Sequence, residues 1–202
     1  MKWERIVWMG VVVVCLLAVA RAGQEQETYS PEEAVGRLNS EDLWERERGA
    51  REILEARERT INLLLAAARE EQGEGKRYHN QKHLAIILLG KLRPTQPDVH
   101  YFLVDNITYL GVGPSETMNI LEGVPCAHAL DRIGMPSLRT VFKRVTDKST
   151  DEELKLYGSV IAHIMGHEPG QVRVAKEFEH ARGRQKEGMA RLKEIYDNKD
   201  YR

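Results

Sequence analysis

The joint inside HALDRIGMPSLRTVFKRV, residues 128 to 145, constrains this chain more than any other feature: one helix-forming run stops at Ile133-Gly134 and another starts at Met135-Pro136. Glycine ends a helix because it accepts the left-handed backbone that other residues resist. Proline starts one because its missing N–H would be unsatisfied there anyway. Two helices joined this tightly fold back on each other as a hairpin. In the second helix Leu138, Val141, Phe142 and Val145 fall at i, i+3, i+4 and i+7, a single apolar stripe. One hairpin cannot cover that stripe alone, so further helices must lie alongside.

The rest of the chain supplies them. Ser30-Pro31-Glu32-Glu33 and Thr150-Asp151-Glu152-Glu153 each offer a capping hydroxyl followed three residues later by a glutamate, a capping-box pattern. After Thr150, the residues Leu154, Tyr157, Val160, Ile161 and Ile164 recur at three and four, marking one helical face. No segment shows the period-two alternation that would indicate strands, so the fold class expected is all-α. Helix pairs recur with joints expected at Glu55, Leu89-Gly90, Ile133-Gly134 and Met165-Gly166. These lie 35, 44 and 32 residues apart, within the range of helical repeat arrays.

At these residues the chain resembles a HEAT repeat, an Ala/Leu-rich helix ending in Leu/Ile-Gly, a proline, and a Leu-rich second helix. HALDRIGMPSLRTVFKRV carries the pattern, and AIILLGKLRPTQPDVHYFLVDNI, residues 85 to 107, is similar with a longer turn. Residues 154 to 178 keep Gly166 and Pro169, whereas in residues 50 to 70 Glu55 and Arg57 stand where glycine and proline are expected. The resemblance implies a short right-handed α-solenoid of about four HEAT-like hairpins, residues 30 to 183, whose second helices line a concave protein-docking face. Residues 184 to 202 are then expected as a C-terminal capping helix and tail, with Met189, Leu192, Ile195 and Tyr196 as its apolar stripe, and Pro31 to Leu38 as the N-terminal counterpart.

MKWERIVWMGVVVVCLLAVARAG has a basic start, an apolar run from Ile6 to Ala20 and Ala20-Arg21-Ala22 before Gly23, the pattern of a secretory signal peptide over residues 1 to 22. The alternative is an uncleaved anchor, for which the run falls short of the roughly 20 residues that cross a bilayer. Residues 23 to 29 read as a polar linker. Cleavage after Ala22 would leave 180 residues and no membrane insertion, and would turn 30 basic and 31 acidic residues into 27 and 30. That balance gives nucleic-acid binding no support. Cys126 would then be the only cysteine, which excludes an intramolecular disulfide.

Candidate chemistry is sparse. His79/His83 and His163/His167 have the spacing of four that could place two imidazoles on one helical face, but two ligands do not make a metal site, and neither pair has the glutamate of a metalloprotease helix. His167 is expected in the inter-helix turn, satisfying terminal carbonyls. Cys126 would need a nearby histidine base to act as a nucleophile, and His128, two residues on, points elsewhere; a small core residue is the expectation. No phosphate loop or nucleophile elbow is present. Residues 108 to 125, TYLGVGPSETMNILEGVP, form a connector with Gly111, Gly113 and Pro114 among apolar residues, either a plug between repeats or a loop that touches a partner.

The solvent-side positions of the second helices are expected at Asn62 and Arg69, His100 and Asp105, Arg139 and Lys143, and Arg173 and Lys176. The last two pairs are basic; a charge run is usually a solvated face, and an acidic partner is the sharper reading. Together these features point to an exported, non-enzymatic scaffold that binds a protein partner and needs no cofactor. The alternative is a metal-dependent or lyase-like accessory enzyme, since HEAT-like repeats also occur in phycobilin lyases.

Overall fold

The computed structural model of the protein describes residues 29–70, 76–110 (backbone alone for 76–80) and 123–201. The signal segment, most of the linker, the centre of the connector and the His79 side chain lie outside the described residues. Among those described every regular element is helical: α1 Pro31–Arg37, α2 Leu43–Ala56, a single 3-10 stretch Arg57–Thr60, α3 Ile61–Arg69, α4 Lys76–Leu92, α5 Pro97–Asp105, α6 Pro125–Ile133, α7 Met135–Arg144, α8 Asp151–Met165, α9 His167–His180 and α10 Gly183–Asp197.

Local chemistry sets these limits. Thr150 caps α8 by accepting from the Glu153 N–H at 3.1 Å, while the Glu153 carboxylate accepts from the Thr150 N–H at 2.7 Å, so that capping box is complete. Pro97, Pro125 and Pro136 stand in the first turns of α5, α6 and α7. Four breaks between helices fall at Arg57, Arg93, Gly134 and Gly166, all with positive φ and 36, 41 and 32 residues apart. Gly134 (φ 80, ψ −147) and Gly166 (φ 82, ψ 163) occupy a region essentially closed to side chains, a tighter requirement than the left-handed helix conformation.

Two expected joints move. The break expected at Glu55 lies at Arg57, and the one expected at Gly90 lies at Arg93. Gly90 lies inside α4 because its role is spacing: a Cβ there would meet the Ala129 Cα at 2.8 Å, so the missing side chain lets α4 and α6 approach.

α2 packs on α4, α4 on α6 and α6 on α8; α3 also packs closely on α4, and α10 closes on α8 and α9. α5 packs on α7, and α1 covers α2 and α3. The core fills from the predicted stripes. Leu138, Val141, Phe142 and Val145 are buried, as are Leu154, Tyr157, Val160 and Ile161. Met189, Leu192 and Tyr196 of α10 are fully covered. Each such large side chain contributes about 1.5–3 kcal/mol by leaving water. Arg37 of α1 pairs with Glu52 of α2, which also accepts from Arg48 Nε at 2.9 Å, tying the first helix down.

Candidate functional site

The expected docking residues lie on α3, α5, α7 and α9, and three contacts between arginines and aromatic rings run between these helices. The Arg69 guanidinium of α3 lies 6.0 Å from the Phe102 ring centroid of α5. Arg144 of α7 lies 5.1 Å from the Tyr101 ring of α5 and donates to Asp105 Oδ2 at 2.7 Å. Arg173 of α9 lies 5.7 Å from the Phe142 ring of α7 and pairs with Glu177 at 2.6 Å. Contacts of this kind contribute about 0.5–1 kcal/mol each at exposed sites.

The predicted docking residues therefore separate. Arg69, Asp105 and Arg173 belong to the links between helices. Asn62, Arg139, Lys143 and Lys176 are exposed, and their side chains have no ion-pair or hydrogen-bond partner among the described residues. His100 is a correction: it is only 4% exposed, and its Nε2 bonds the Pro94 carbonyl at 2.8 Å. Starting from Pro97, a turn of 100° per residue swings position 100 inward beside Leu103 and Val104, so the outward residues of α5 are Tyr101 and Asp105. Met135 and Val172, 60% and 71% exposed, complete the face on α7 and α9. Their signal was present as helical spacing with Arg139 and Lys176, but an apolar residue in a helical run ordinarily reads as core.

The groups considered for chemistry have ordinary partners. His163 and His167 do not share a helix, because Gly166 breaks α8 from α9 between them. His163 Nδ1 stands 4.0 Å from Asp131 Oδ2 across α6 and α8. His167 Nδ1 meets the Tyr201 hydroxyl at 2.6 Å, where a backbone carbonyl was expected. Cys126 is fully buried, and burial pushes its thiol up to about 12 against a smaller opposing effect of the Lys82 charge, so it stays protonated at neutral pH. His128 accepts from Arg132 Nε at 2.7 Å. Burial raises the Tyr157 phenol beneath the Asp105–Arg144 pair, aided by the Glu153 and Asp105 carboxylates.

Among the described residues no three His, Cys, Asp or Glu side chains are placed to hold a metal ion, and no helix is long and apolar enough to cross a membrane. No family model, curated protein or solved structure matches the chain.

Proposed function

We propose that the chain is an exported, non-enzymatic scaffold whose helix pairs stack as a short right-handed HEAT-like array, docking a protein partner on the face of its second helices. One observation carries this reading: consecutive second helices are linked by Arg69–Phe102, Arg144–Tyr101 and Arg173–Phe142, while Asn62, Arg139, Lys143 and Lys176 are exposed with no side-chain partner among the described residues. Packing of each first helix on the next supports the repeat order, and the missing side chains at Gly134 and Gly166 support the hairpin turns. Export is supported by the basic, apolar and small-residue succession of residues 1 to 22.

A photo-crosslinking residue placed at Ala66, Tyr101, Arg139 or Lys176 tests docking in the native cell fraction, with exposed Lys91 and Lys155 of the first helices as controls. Adducts to one protein from the second-helix positions alone are expected. Adducts only from Lys91 and Lys155, or from none of the six, sink the reading. Terminal sequencing of the protein from its producing cell tests export: a start at Gly23 is expected, and an intact residue 1 contradicts it.

A further inference from the structure

Resting on the export reading, we infer that Asn106 is the acceptor of an N-linked glycan. The chain holds six asparagines, and Asn106-Ile107-Thr108 is the single place where one is followed two residues later by a serine or threonine across a residue other than proline. That triplet is the acceptor pattern of exported chains, in which the hydroxyl at the third position is needed as much as the amide at the first. The fold sets it where a bulky polar addition can be carried. α5 ends at Asp105, and the next residues close a turn in which the Ile107 N–H donates to the Val104 carbonyl at 3.3 Å and the Tyr109 N–H to the Asn106 carbonyl at 2.9 Å. Ile107, only 1% exposed, pegs this turn to the core, while Asn106 is half-buried and Thr108 exposed.

Folding alone explains half of the triplet. Asparagine suits a helix end, and the Asn106 Nδ2 donates to the Phe102 carbonyl at 2.9 Å. Thr108 has no such duty: its hydroxyl has no hydrogen-bond partner among the described residues, so nothing in the turn calls for a hydroxyl there. Because the folded amide is engaged, transfer takes place on the chain as it crosses the membrane, before the end of α5 closes. The donor is an oligosaccharide joined through C1 of its first sugar to a lipid pyrophosphate. Asn106 Nδ2 bonds to that C1 as the C1–O bond breaks, the electron pair leaves with the pyrophosphate oxygen, and one Nδ2 proton passes to a base of the transferase. Nothing is oxidised or reduced, and one N–H stays on Nδ2 to meet the Phe102 carbonyl when the helix forms.

Intact mass spectrometry and terminal sequencing of the protein from its producing cell test this together. The expected result is a chain that starts at Gly23 and weighs more than its residues, with the excess removed by the amidase that cleaves the glycan–asparagine bond and leaves a carboxylate at position 106. Made in the same cell, Asn106→Gln and Thr108→Ala should lose the excess and Thr108→Ser should keep it, while thermal melts show all three folded. Thr108→Ala retains the Asn106 amide and its bond to Phe102, so it separates a missing sugar from damage to the helix end. A chain that starts at Gly23 with no excess mass would overturn this inference and leave export standing. One that keeps residue 1 and carries no excess would overturn both. An excess that survives Asn106→Gln and Thr108→Ala belongs elsewhere on the chain and would overturn the assignment as well.

Discussion

Gly90 of α4 lies so close to Ala129 of α6 that a Cβ built on it would stand 2.8 Å from the Ala129 Cα and 3.1 Å from its Cβ. Both neighbours are backbone or near-backbone atoms, so only a shift of whole helices could make room. Gly90→Ala is therefore expected to destabilise the fold by about 1–3 kcal/mol, the usual cost of overfilling a packed contact. Gly36 in α1 is exposed with nothing within 4 Å, and Gly36→Ala should instead stabilise by roughly 0.5–1 kcal/mol through helix propensity. Urea denaturation reads both, and a Gly90→Ala midpoint equal to or above wild type would show that α4 and α6 do not meet this way.

The helix breaks predict opposite signs at equivalent positions. Gly134 has φ 80 and ψ −147, so Gly134→Ala is expected to cost about 1–3 kcal/mol in backbone strain. Arg93 has φ 52 and a side chain that pays for it. Arg93→Gly removes a left-handed penalty of about 1–2 kcal/mol but adds unfolded-state entropy, leaving an effect that is neutral or stabilising. Thermal melts of the two variants should move apart, and a loss of stability in Arg93→Gly would remove the strain assigned to it.

What the residues made legible was local. Gly134 and Gly166, the Thr150–Glu153 box and the stripe around Val141 are each settled within about two turns of helix, and each is where the sequence placed it. Gly90 was misread because a glycine late in a helical run serves equally as a terminator or as a point of close approach, and only the partner helix decides. His100 is polar and yet inward, because a single hydrogen bond to the Pro94 carbonyl satisfies the ring nitrogen once it is buried. The Asp105–Arg144 pair joins residues 39 apart in sequence, and nothing in either helix alone announces it.

His83 of α4 is half-buried with its Nδ1 atom covered and without a hydrogen-bond partner among the described residues, and burial lowers its pKa below the ordinary 6.5. The unfolded chain then binds a proton more readily than the folded one. Stability should fall as pH drops through 6.5 toward the lower folded value, and be fully present above 6.5. In His83→Gln that part of the acid-side slope should flatten. Chemical denaturation from pH 8 to pH 5 measures it, and an unchanged slope would assign the acid sensitivity to other groups.

Cys126 gives a kinetic prediction. A thiol held protonated by burial and closed to solvent reacts only when the fold opens. Labelling with an aromatic disulfide reagent at pH 8 should be slow in the native protein, rapid in urea, and faster in Gly90→Ala by about tenfold for each 1.4 kcal/mol of stability lost. Rapid native labelling would mean that the α4–α6 contact does not seal the residue.

The chain's last described residue tests how the C-terminal end is closed. Tyr201 is only 6% exposed; its hydroxyl meets His167 Nδ1 at 2.6 Å, its ring stacks on Tyr196 with centroids 4.7 Å apart, and its carbonyl accepts from the Ser159 hydroxyl. The absence of a side chain at Gly158 makes room, since a Cβ there would touch the Tyr201 Cβ at 3.0 Å. Three helices, α8, α9 and α10, are thus bound by one side chain from the tail. Tyr201→Phe keeps the ring and strands the imidazole nitrogen, at an expected cost of about 1 kcal/mol. Tyr201→Ala also empties the socket against Tyr196, and about 3 kcal/mol is expected, the scale of truncating a buried aromatic. Hydrogen exchange should then rise in α9 and α10 but not in α2 or α3, because the loss is confined to the end of the chain that the tail fastens. Equal stability of all three proteins, or exchange that rises throughout, would show that the tail does not fasten this end.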